Sequence, residues 1–148
     1  MTHASPAAHP SIAAIFSWDF SRVKNLLTRD DKLDPAEADA RIEEYRKYMA
    51  INATFNTSHP VSKEVDDVWH AHVLDTVDYA RFSERVFGRF LHHLPIFDED
   101  GQKKLVIDYA AKTLPHLKAL FGSLSPLWAE ARVICMGPAD CNGGVVQA

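Results

Sequence analysis

The sequence predicts an all-α protein: a single-domain bundle of four or five helices that ends in a C-terminal coil containing cysteine and glycine. Two observations favour this class. Apolar residues recur at helical spacing through most of the chain, and no segment alternates polar and apolar residues as a half-buried strand does. The length of 148 residues also suits one domain with a sizeable core. We therefore expect a loose N-terminal leader over residues 1–10 and one helical domain over residues 11–148.

The first two predicted helices have recognisable starts. Ser11 is a suitable N-cap for the first, whose apolar face comprises Ile12, Ile15, Phe16, Phe20, Val23, Leu26 and Leu27. For the second, Asp34 suits the N-cap, Pro35 suits the first helical position, and Glu37 completes a capping box. We expect this second helix to end within residues 52–56.

Three further helices are predicted in the rest of the chain. One starts after Ser62 and continues to about residue 87, where Gly88 is a suitable terminator. The next covers roughly residues 101–121, and Pro115 is expected to break or kink it. A last short helix opens at Ser125-Pro126 and carries Trp128. The tail beyond it is rich in turn-forming residues and is expected to be loop or coil.

The composition limits the partners and the compartment. A net charge of -4 with scattered basic residues predicts no affinity for nucleic acid or for anionic membranes. No apolar run approaches the roughly 20 residues that span a bilayer. The N-terminus lacks the charged and apolar regions of a secretory signal. We therefore expect a cytoplasmic protein, and the sequence leaves its oligomeric state open.

The segment from Val65 to Pro95 concentrates the residues that carry chemistry. Four of the eight histidines lie there, as an H-x-H pair (His70, His72) and an H-H pair (His92, His93). Imidazole is a ligand of zinc, copper and iron and also the usual acid or base at neutral pH. On a helix, the two histidines of an H-x-H pair lie about 200° apart. We therefore predict that His72 faces the interior, that His70 lies on an adjoining face, and that the two do not chelate one metal together.

Neighbouring residues suggest roles for a site at this segment. Asp66 precedes His70 by one helical turn and is predicted to orient its imidazole, so these two are the candidate catalytic residues. Thr76 is placed in the same way to hold His72. Trp69 and Tyr79 are candidate walls of a cofactor pocket. A metal site would combine separated segments, with iron, copper or zinc bound by ligands drawn from His70, His72, His92, His93, Cys135 and Cys141.

The two cysteines lie close to the C-terminus and leave three uses open. Cys135 and Cys141 are separated by five residues, which is not the C-x-x-C spacing of a zinc knuckle. They form a disulfide that closes a small loop, supply thiolates to the histidine site, or remain inert thiols.

The sequence thus leaves different classes of function open. The first is a metal-binding protein, either an oxidoreductase or an enzyme that modifies a small-molecule or peptide substrate. The alternative is a non-catalytic helical protein-interaction module with structural histidines, because a histidine on an apolar helix face is usually hydrogen-bonded within the core. A Cys–His acyl-transfer enzyme is a third reading, although no nucleophile-elbow pattern supports it.

One stretch resembles a known family. The pattern V-D-x-x-W-H-x-H-x-L-x-T-x-x-Y, followed by F-G-R-F-L-H-H-x-P, resembles the glycine-rich domain-containing protein-like family, and in particular its short stand-alone bacterial members. The close match is confined to residues 65–95. The resemblance implies a helical domain and brings no defined activity. Ser83 stands where relatives in that family often carry a cysteine.

Overall fold

The computed structural model describes residues 10–129 and 136–138. About three quarters of these residues are helical, so the predicted all-α class is confirmed. The described residues form eight α-helices: α1 (Pro10–Ser17), α2 (Ser21–Arg29), α3 (Pro35–Phe55), α4 (Lys63–Leu74), α5 (Thr76–Phe87), α6 (Glu99–Asp108), α7 (Leu114–Phe121) and α8 (Pro126–Ala129). None of them is long and apolar enough to cross a membrane. The predicted leader lies outside the described residues except for Pro10, which begins α1.

Helix α3 forms the centre of the core. Its residues Tyr45, Tyr48, Met49 and Ile51 are fully buried. Helices α1, α2, α4 and α7 all contact it. The start predicted at Asp34 is confirmed, because its carboxylate accepts a hydrogen bond from the N–H of residue 36 at 3.0 Å.

The end of α3 also follows its sequence. The helix stops at Phe55, within the predicted range, where Asn56 adopts a left-handed conformation with φ of 46°. The capping-box role predicted for Glu37 is replaced by an ion pair, since its carboxylate accepts from the Arg41 guanidinium at 2.9 Å.

The prediction of four or five helices is wrong because three of the predicted helices are divided. The first is broken between α1 and α2, where Asp19 accepts a hydrogen bond from the Ser21 N–H. The carbonyls exposed by this break are satisfied from α3. Arg46 Nη1 donates to the carbonyl oxygens of Ile15 at 2.6 Å and of Trp18 at 3.0 Å.

The second division falls at Asp75, between α4 and α5. The Asp75 carboxylate accepts two hydrogen bonds from Arg22 of α2, at 2.8 and 3.0 Å. Its backbone leaves the helical region, with ψ of 70°, yet its carbonyl still accepts from the Tyr79 N–H as a helix N-cap does. Aspartate favours such positions over a helix interior. The predicted terminator of this region is confirmed, since Gly88 has φ of 73°.

The third division arises from Pro115. A π-helical segment, Tyr109–Thr113, lies between α6 and α7. Proline has no N–H, and in a regular α-helix its ring would collide with the carbonyl four residues earlier. A wider turn avoids this collision, and the Leu114 N–H bonds to the Tyr109 carbonyl five residues back.

The sequence pattern did not predict any strand, but the described residues contain two. Strands β1 (His93–Pro95) and β2 (Met136–Pro138) pair antiparallel, with His93 opposite Pro138. Three-residue strands are too short to show a clear alternation of polar and apolar residues. The rest of the predicted C-terminal coil lies outside the described residues.

Candidate functional site

The predicted histidines separate into buried and exposed members. His72 is fully buried, whereas His70 is exposed on the same helix. The prediction from helix geometry that His72 faces the interior and His70 another face is therefore confirmed. His92 is exposed and touches the edge of the Phe90 ring, with 4.9 Å between ring centroids. The His93 side chain is buried to all but 7% of its surface.

His72 belongs to a hydrogen-bonded chain that we call the His72 chain: Tyr45, His72, Asp78 and Trp18. The Asp78 carboxylate lies 2.8 Å from His72 Nε2. A carboxylate only accepts, so Nε2 carries the proton, and Nδ1 then accepts from the Tyr45 hydroxyl at 2.8 Å. Trp18 Nε1 donates to the same Asp78 oxygen at 3.1 Å. Both ring nitrogens of His72 are thus bonded.

Burial determines the protonation states of His72 and Tyr45. Desolvation lowers the pKa of His72 although the Asp78 hydrogen bond opposes it, so the ring is neutral at neutral pH. Desolvation also raises the pKa of Tyr45 well above its ordinary value, so its hydroxyl keeps the proton that it donates. The ring of His72 is enclosed by the edges and faces of four aromatic rings, those of Phe20, Tyr45, Tyr79 and Phe82. Thr76 does not hold His72 as predicted; Asp78 does.

Asp66 orients His93 and not His70. The carboxylate of Asp66, itself 7% exposed, accepts from His93 Nε2 at 2.6 Å. The helical spacing that favoured His70 is overridden by β1, which brings His93 against α4. The His93 ring stacks on Trp69, with centroids 3.7 Å apart and an interplanar angle of 11°. The predicted pairing of Asp66 with His70 is therefore wrong.

Trp69 and Tyr79, the predicted walls of a cofactor pocket, lie in the core. Trp69 Nε1 donates to the Tyr79 hydroxyl at 2.9 Å, and that hydroxyl donates to the carbonyl of Leu91. The two side chains are no more than 1% exposed. They tie the segment before β1 to α4 and α5, and they separate the His72 ring from the His93 ring.

A further pair of histidines was missed by the sequence analysis. His59 Nε2 lies 2.7 Å from His116 Nδ1, and His59 Nδ1 lies 2.8 Å from Asn52 Oδ1. That oxygen also accepts from the His59 backbone N–H, and Asn52 Nδ2 donates to the Tyr48 carbonyl, so the amide orientation is fixed. We call the three hydrogen-bonded side chains of Asn52, His59 and His116 the His59 chain. The two histidines are 57 residues apart in sequence, and no local spacing connects them.

The hydrogen bonds of the His59 chain define both tautomers. His59 donates from Nδ1 to Asn52, so its Nε2 accepts from His116 Nδ1–H. Burial, with a smaller contribution from His116, lowers the pKa of His59 to about 3, and burial also lowers the pKa of His116. The His116 ring is stacked on Phe55, with centroids 3.7 Å apart. Its position follows from the π-helical segment, which sets the phase of α7.

These contacts test only part of the predicted metal site, because some of its candidate ligands lie outside the described residues. Within residues 10–129 and 136–138, no group of three or more His, Cys, Asp and Glu side chains is arranged to hold a metal ion. The candidate ligands Cys135 and Cys141 lie outside the described residues, so their ligation, pairing or freedom stays a prediction. His70 and His92 lie at the surface, apart from the buried chains.

A protein-family model described as UCP032817-like matches residues 10–104. The chain belongs to the UCP032817-like family. The matched region contains α1 to α5, β1, the whole His72 chain and the Asp66–His93 pair, whereas His116 lies beyond it. Searches of curated proteins and of solved structures gave no match. The family's description names no activity, and the resemblance to the glycine-rich domain-containing protein-like family stays a prediction.

Proposed function

We propose that this protein is a non-catalytic helical interaction module in which the buried histidines of the Val65–Pro95 segment, His72 and His93, are structural. The observation that carries the proposal is the direction of the His72 chain. In a catalytic chain of acid, histidine and hydroxyl, the hydroxyl faces the substrate and the acid lies behind. Here the order is reversed, because the Tyr45 hydroxyl is fully buried and Asp78, at 27% side-chain exposure, is the most exposed of these three groups.

The Asp66–His93 pair supports the same proposal. Asp66 and His93 connect α4 to β1, and the His93 ring lies flat on Trp69. A buried charge-assisted hydrogen bond of this kind fixes the relative position of two elements. His72 and His93 therefore act where the helices and the strand meet, and the exposed surface is left for binding.

Alanine variants of His70 and His72 distinguish the proposal from a metal-dependent enzyme. His72→Ala opens a cavity and leaves the buried Tyr45 hydroxyl without its acceptor, so we expect a loss of about 3 kcal/mol or more in unfolding free energy. The matched control His70→Ala removes an exposed histidine from the same helix and should cost less than about 0.5 kcal/mol. Urea unfolding gives both values, and elemental analysis of untagged protein gives the metal content. A stable His72→Ala protein that loses a bound metal ion would overturn the proposal.

A further inference from the structure

A surface groove follows the corner where α4 meets α5 beside α2. It consists of two cavities, of about 310 and 300 Å³, that share Arg22 and Asp75 as walls. The first continues to Arg29 and Leu74, and the second to Val77 and Arg81. We call these six residues the corner groove. Each cavity is at the lower end of the size of ligand sites, large enough for individual side chains of a partner.

Two large aliphatic side chains border the corner groove without being buried by it. Leu74 is 65% exposed and Val77 is 63% exposed, and they flank Asp75 at the division between the two helices. Exposed aliphatic surface of this kind contributes nothing to folding. Contact with apolar side chains of a partner would remove it from water and favour binding.

The charges of the corner groove favour an anionic partner. The Arg22–Asp75 ion pair is internally neutral, and its contact raises the pKa of Arg22 and lowers that of Asp75. Within the described residues Arg29 pairs only with its exposed neighbour Asp30, and such surface pairs are weak and easily exchanged. Arg81 is exposed and makes no hydrogen bond or ion pair with the described part of the chain.

The acidic residues of the corner groove do not cancel these cations. Asp75 is paired with Arg22, and Oδ2 of Asp78 already accepts from His72 and Trp18. Among the residues that the structure describes, the guanidinium groups of Arg29 and Arg81 therefore have no strong partner at the groove, on a chain whose net charge is -4. Guanidinium groups bind carboxylates in a bidentate geometry. A polyphosphate backbone fits less well, because Asp75 and Asp78 line the same surface and aliphatic side chains border it.

We propose that the corner groove binds a protein segment that carries carboxylates beside aliphatic or aromatic side chains. The carboxylates pair with Arg29 and Arg81, and the apolar side chains pack on Leu74 and Val77 on the two sides of the Arg22–Asp75 ion pair. This inference rests on the proposed function as an interaction module and specifies its surface and the chemistry of its partner.

Selection from a displayed library of random 12-residue peptides, with the full chain as the target, tests this inference. We expect the selected peptides to be enriched in Asp and Glu next to Leu, Ile, Val or Phe. Labelled synthetic copies are then titrated by fluorescence anisotropy. Two double variants should weaken binding about tenfold or more: Arg29→Glu with Arg81→Glu, and Leu74→Ser with Val77→Ser. The matched control Lys103→Glu with Lys104→Glu makes the same charge change on exposed residues of α6 and should leave the affinity within about twofold.

The outcomes separate the groove from the general function. Peptides that bind the groove variants as tightly as the wild type would overturn the corner groove and leave an interaction module with another surface. A selection that yields no binder would overturn the groove, whereas the proposed function is overturned by a stable His72→Ala protein that loses a bound metal ion. A labelled 12-nucleotide RNA that binds, and that the groove variants no longer bind, would replace the protein partner by a nucleic acid.

Discussion

The hydrogen bond between Tyr45 and His72 gives the most quantitative prediction. Tyr45→Phe removes the donor and leaves the Nδ1 lone pair of a fully buried imidazole unsatisfied. A buried polar group without a partner costs about 1–3 kcal/mol, so the unfolding free energy should fall by about 2 kcal/mol. His72→Phe leaves the Tyr45 hydroxyl in the same position, buried and without an acceptor, and should cost at least as much.

The double variant tests the mechanism of these losses. When both residues are phenylalanine, neither the hydroxyl nor the ring nitrogen remains to be left unsatisfied. The combined loss should therefore be smaller than the sum of the single losses by about 1–2 kcal/mol. Urea unfolding followed by circular dichroism measures all three variants, and His92→Phe at the surface is the control, with a change below about 0.5 kcal/mol. Additive losses would refute the reasoning.

Three further predictions concern the pH dependence of stability, the end of α5 and the break between α1 and α2. The pKa of His59 is about 3 when folded and about 6.5 when unfolded, so the unfolded state binds more protons between these values. Stability should fall as the pH is lowered from about 6.5 towards 3, by up to about 1.4 kcal/mol per pH unit from this group; a His59→Gln variant with an unchanged slope in pH-dependent urea unfolding would contradict this. Gly88→Ala should cost about 1 kcal/mol in thermal unfolding, because an added Cβ meets no atom within 4 Å and only the positive φ opposes it; a neutral result would contradict the backbone argument. Arg46→Met should cost about 1–3 kcal/mol in urea, because the Trp18 carbonyl loses its donor and the Ile15 carbonyl keeps only the longer bond from the Trp18 N–H; a loss no larger than that of the exposed control Arg85→Met would show that water replaces the guanidinium.

Local signals in the sequence predicted the fold class and several helix ends. Asp34, Gly88 and the Ser125-Pro126 start are cases in which one or two residues determine the cap, and each was found where its pattern indicated. The divisions at Asp19 and Asp75 were missed because they depend on arginines from other helices. Arg46 stabilises the first division and Arg22 the second, and helical periodicity carries no information about such contacts.

The candidate site was predicted in part for the same reason. The interior position of His72 follows from the helix alone and was predicted correctly. Its partners Tyr45 and Asp78 were not identified, and Asp66 was assigned to the nearest histidine in sequence although β1 brings His93 to it. The bond between His59 and His116 depends on the phase of α7 after a π-helical turn, which a regular helical wheel cannot give.

Nitrogen NMR of the histidine rings tests the central claim most directly. In uniformly ¹⁵N-labelled protein at pH 7, long-range ¹H–¹⁵N correlations report which ring nitrogen carries the proton. We predict a neutral ring protonated at Nε2 for His72, neutral rings protonated at Nδ1 for His59 and His116, and no change in these three spectra on addition of zinc. A His72 ring protonated at Nδ1, or a zinc-dependent shift of its nitrogens, would contradict the assignment of this histidine to the core.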